Sequence, residues 1–88
     1  MPNYKILIKV KDIKGKCTVH NVGDTIEVDG DIVKGKICAM ALHAIFPYIL
    51  ALQLGANSSW MENRDDIIGS CPDPAGLAHF EIKRIKQD

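Results

Sequence analysis

Apolar and polar positions alternate along Tyr4 to Val10, with Tyr4, Ile6, Ile8 and Val10 on one face and Lys5 and Lys9 on the other. A period of two belongs to a strand with one covered face; Leu7 is the apolar exception on the polar side. Asp12 to Gly15 reads as a turn, because glycine adopts backbone conformations closed to other residues. Lys16 to Asn21 reads as a second strand with Cys17 and Val19 on one face, so that Cys17 and His20 should point opposite ways. Gly23-Asp24 then turns the chain into Thr25 to Val28, a third strand with Ile26 and Val28 inward. Asp29-Gly30 is a strong hairpin signal, since both central positions of a type I′ turn need positive φ. Asp31 to Lys34 is its short return.

The period changes at Ile37. Ile37 to Leu54, ICAMALHAIFPYILALQL, is broken only by His43, Gln53 and the hydroxyl of Tyr48. A helix with so little polar face is expected to be buried on nearly all sides. Gly55 suits a left-handed helix stop. Pro47 cannot donate to the preceding turn, which predicts a kink or two short helices. The run is near the lower limit of the roughly 17–25 residues that cross a bilayer. Strand-like flanks, the central His43 and Pro47, and the lack of strongly basic anchors argue instead for a soluble core helix. No signal-peptide pattern opens the chain.

Beyond Gly55, Trp60 follows a loop and reads as a lid over one end of the core. Ile67 to Cys71 is briefly apolar, and Cys71-Pro72-Asp73-Pro74-Ala75-Gly76 is a turn stiffened by two prolines. Leu77 to Ile85 alternates again, Ala78, Phe80 and Ile82 inward against His79, Glu81 and Lys83. The expected fold is therefore α+β, a single domain over residues 1–88. Five or six short, mostly antiparallel strands form a roll or partial barrel over one buried, proline-kinked helix.

At 88 residues such a body hides only about 60–65% of its unfolded surface, so a second copy is a natural cover for the helix and a homo-oligomer is expected. Eleven basic residues balance eleven acidic ones, which removes any general attraction to nucleic acid or anionic lipid. Neither nucleic acid nor membrane is an expected partner. Three cysteines without a secretory signal point to free thiols in a reducing, cytoplasmic setting.

Cys38 lies in what should be the first helical turn, near Lys34 and Lys36, where a thiolate is stabilised. The plain alternative is a small buried hydrophobe. Cys17, Cys38 and Cys71 stand too far apart for a local chelate of the C-x-x-C kind, yet could meet in space around zinc or an iron–sulfur cluster. Cys71 and His79, across the proline turn, could also meet. His43 reads as a hydrogen-bonded core histidine. Asp73, between prolines, is either a carboxylate held out for catalysis or a turn residue bonding its own backbone. No phosphate loop, nucleophile elbow or paired-carboxylate motif occurs.

The landmarks occur in a recognisable order. Cys17 with Val22-Gly23-Asp24, Gly35-Lys36-Ile37-Cys38 with Ala41, Ile45-Phe46-Pro47-Tyr48, Leu52, Gly55, Trp60, and Cys71-Pro72-Asp73 before Phe80 and Ile82 span nearly the whole chain. This pattern resembles a small uncharacterised prokaryotic family of about this length, marked by three separated cysteines. The resemblance implies that Cys17, Cys38 and Cys71 match the family's cysteine positions and converge on one site. The chain departs from it at Met40, where many relatives carry Trp, and at Gly76-Leu77-Ala78, where they tend to have Arg-Pro. Three functions are thus expected to compete. The leading one is a cytosolic thiol- or metal-binding domain with a three-cysteine centre and an unidentified ligand. The others are a non-catalytic oligomeric interaction module, and a small enzyme with Cys38 as nucleophile and Asp73 or His43 as partner.

Overall fold

A computed structural model describes residues 4–55, 66–72 and 76–86. The first alternating stretch becomes β1 (Tyr4–Gly15), followed by β2 (Thr25–Asp29), β3 (Ile32–Lys34), α1 (Ala39–Gln53), β4 (Asp66–Ser70) and β5 (Gly76–Lys86). The five strands form an open antiparallel sheet in the order β3-β2-β1-β5-β4. The fold is α+β. Where a roll or partial barrel was expected, the sheet has two edges, β3 and β4. The helix carries the chain from one edge to the other across a single face of the sheet.

The two-residue period holds where it was read. Ile6, Ile8 and Val10 of β1, Ile26 and Val28 of β2, and Ala78, Phe80 and Ile82 of β5 are buried in one core with the helix. Full burial of an aliphatic or aromatic side chain of this size contributes about 1.5–3 kcal/mol, so this one layer carries most of the driving force. His79, Glu81 and Lys83 lie on the far face.

Two expectations are corrected at the end of β1. There is no turn at Asp12 to Gly15: the strand continues to Gly15 through a bulge. Val10 pairs with Phe80 and Asp12 with His79, so Lys11 is the extra residue. A bulge shifts parity by one, which puts Ile13 rather than Asp12 towards the core, opposite Ala78. Lys16 to Asn21 is not a strand. The segment between β1 and β2 is irregular and tied back to the bulge by Val10 N–H to Asp24 O and Gly23 N–H to Val10 O, both 2.9 Å.

The helix also differs from expectation. It is one element with Pro47 inside it, not two, and only a stripe of it is buried: Ala41, Ile45, Ile49, Leu52 and Gln53. Met40, Phe46, Tyr48, Leu50 and Leu54 are exposed. A helix resting on one side of an open sheet has one covered face, however apolar the rest. His43 is exposed, not a core histidine. Gly69 of β4 lets the helix settle, because a Cβ there would come within 3.0 Å of Ile45 and 3.2 Å of Ile82. At the far end Gln53 Nε2 donates to Gly30 O at 3.0 Å, and Gly55, at φ +80, ends the helix as expected. Buried Arg84 donates to Leu52 O and lies over the Tyr4 ring, a cation beside helix-end carbonyls. No helix among the described residues is long and apolar enough to cross a membrane.

Candidate functional site: a cavity lined by three thiols

After Gly15 the chain folds back over the start of β5, and glycine makes this possible. Gly76 shares the core-facing parity of Ala78 and Phe80. A Cβ on it would lie 2.0 Å from the carbonyl oxygen of Lys16 and 3.3 Å from Cys17 Cα. No real Cβ tolerates the first contact, so Lys16-Cys17 can cross only where a side chain is missing. This crossing brings Cys17 to the sheet end from which Cys71 also projects.

Cys71 directly follows β4. Its N–H donates to Ala78 O at 3.0 Å, extending the hairpin ladder by one residue. The side chain is buried, with Sγ accepting Ala78 N–H at 3.2 Å and lying 3.4 Å from Gly76 O as donor. Cys71 and His79 do not meet. His79 faces outward and bonds Asp12 across the bulge.

Cys38 caps the N-terminus of α1 rather than sitting inside its first turn. Its backbone is extended, φ −61° and ψ 132°, its carbonyl accepts Leu42 N–H at 2.9 Å, and its thiol makes no capping bond. The Cys38 N–H donates to Nε2 of His20 at 3.1 Å. His20, only 3% exposed, stands edge-on to Phe80 with ring centroids 5.6 Å apart. Its own N–H donates to Cys17 Sγ at 3.4 Å. Cys17 and His20 therefore belong to one turn instead of opposite faces of a strand.

Together these elements enclose a cavity of about 150 Å³. Cys17, Cys38, Cys71 and His20 line it, with Met40 and Lys16 among their neighbours. All three cysteines are free thiols, Cys17 and Cys38 half-buried. Among the described lining residues there is no carboxylate. Nor, among the described residues, do three His, Cys, Asp or Glu side chains stand close enough together to hold a metal ion. His43 lines a separate groove with Leu42, Phe46 and Pro47 and is no partner for Cys38 there. Asp73 and Trp60 lie outside the described residues.

His20 is the residue the sequence reading missed. Its clue was local: Gly23-Asp24 begins only three positions later, which leaves little room for a strand running to Asn21. No family model, curated protein or solved structure matches the chain.

Proposed function

We propose that this chain is a small thiol-bearing domain that captures a compact, thiophilic ligand between the start of α1 and the β4–β5 end of the sheet. One observation carries the reading: Cys17, Cys38 and Cys71, from three separate segments, line the same cavity of about 150 Å³. A cavity of about that size has room for a benzene-sized guest. Sulfur donors select soft partners over hard ones. The resemblance of its landmark order to small three-cysteine prokaryotic proteins is in keeping with the same site, and free thiols fit a reducing compartment such as the cytoplasm.

A metal centre is the second form of this reading. Zinc or an iron–sulfur cluster would take Cys17, Cys38 and Cys71 as ligands, but the sulfurs would first have to draw together around it. Capture asks for one pair of sulfurs to meet rather than all three, which makes it the leading form of the reading. Phenylarsine oxide is a suitable probe. Its As=O bond is replaced by two As–S bonds, the two thiol protons leave as water, and arsenic stays trivalent. Intact-mass spectrometry of oxygen-free protein should find one adduct that survives a monothiol wash and is released by a dithiol. Absence of the adduct would reject capture, and bound metal in the purified protein would favour the centre instead.

The exposed apolar side of α1 supports a further reading, in which copies of the chain associate through Met40, Phe46, Tyr48 and Leu50.

A further inference from the structure

We infer that His20 is the positioning residue of the thiol cavity, held in one tautomer by the Cys38 N–H. The inference rests on the proposed capture site and goes beyond it, because it assigns a task to a side chain that carries no sulfur. A backbone N–H can only donate, so Nε2, 3.1 Å from Cys38 N, must offer its lone pair. The ring proton of the neutral form then belongs on Nδ1. That atom is buried without a hydrogen-bond partner, and the nearest acceptor shown is Asp24 Oδ2 at 3.7 Å. Asp24 is itself fixed, because its Oδ2 accepts Asn21 N–H at 3.0 Å and its carbonyl accepts Val10 N–H.

Contacts therefore run from the β1 bulge to Asp24 and from the imidazole to the N-cap of α1, with one gap of 3.7 Å between Asp24 Oδ2 and Nδ1. Two walls of the cavity hang on this residue, one of them on its ring. The Cys38 wall is held through Nε2, and the Cys17 wall through the same residue's backbone N–H. The geometry also excludes two other tasks in this state. With Nε2 engaged, His20 neither ligates a metal through that atom nor takes the Cys38 proton on it. The soft donors of the cavity are then its sulfurs, with the Thr18 hydroxyl and Lys16 amine beside them, which points the expected ligand class towards soft acids.

Long-range proton–nitrogen NMR on the unmodified protein reads the tautomer directly. Nδ1 should be protonated and Nε2 bare; a proton on Nε2 would overturn the assignment. Substitution provides the second arm. In His20→Gln the amide oxygen can occupy the Nε2 position, whereas His20→Leu keeps bulk without an acceptor. Phenylarsine oxide capture should fall about tenfold or more in His20→Leu, the scale on which supporting residues act, and recover in His20→Gln. Unchanged capture in His20→Leu would defeat the positioning role. If His20→Leu does not fold, the NMR result on unmodified protein decides alone. If unmodified protein captures nothing, the capture reading fails while the tautomer assignment is still judged by NMR.

Discussion

Gly76 and Gly23 separate two reasons for glycine. At Gly76 an added Cβ would sit 2.0 Å from a backbone oxygen, whereas at Gly23, φ +94, nothing lies within 4 Å of it. Gly76→Ala must push the Lys16-Cys17 crossing off the sheet. It should cost about 3 kcal/mol or more, the top of the overpacking range, and open the cavity. Gly23→Ala meets only left-handed backbone strain, about 1–2 kcal/mol. Urea unfolding of the two variants checks the order; an equal loss would mean that the crossing is not tight. None of this was legible in the sequence, where Gly76 reads as the end of a proline turn. A close approach between residues 60 positions apart leaves no local signal. For His20 the nearby Gly23-Asp24 hinted at a turn, but its partner Cys38 lies on another element and left no local sign.

Among the elements, β1, β2 and β5 were readable because a half-covered strand writes its two-residue period into the chain. The bulge was not, since Lys11-Asp12 followed by Gly15 has the composition of a turn. The helix was readable as a helix but not in orientation. An all-apolar run does not say which side meets the sheet, and here small Gly69 receives Ile45. Ile45→Ala should therefore cost about 2–5 kcal/mol, as core truncations do. Phe46→Ala, one position along and half exposed, should stay within about 0.5 kcal/mol of the parent in dilute protein. Thermal or urea unfolding distinguishes them. Similar losses would mean that the buried stripe is wrongly drawn.

At the scale of the whole molecule, the open sheet leaves half of an oily helix uncovered, and the sequence anticipated a second copy there. If copies associate through this face, sedimentation at micromolar concentration should give an oligomer that Phe46→Asp reduces to a monomer; a parent that is already monomeric would reject the association. The same arrangement lets one end of α1 close over the sheet end where the three cysteines gather. Their spacing left a meeting of the three open and the family resemblance implied it; that they line one cavity, and by way of Gly76 and His20, emerged only from the fold. Convergence is tested most directly by phenylarsine oxide titration of a cysteine-to-serine set. At least one variant keeping two of Cys17, Cys38 and Cys71 should bind one equivalent through a monothiol wash, and each variant keeping one should bind none. Folded two-thiol variants that all fail to retain the arsenical would contradict a shared cavity.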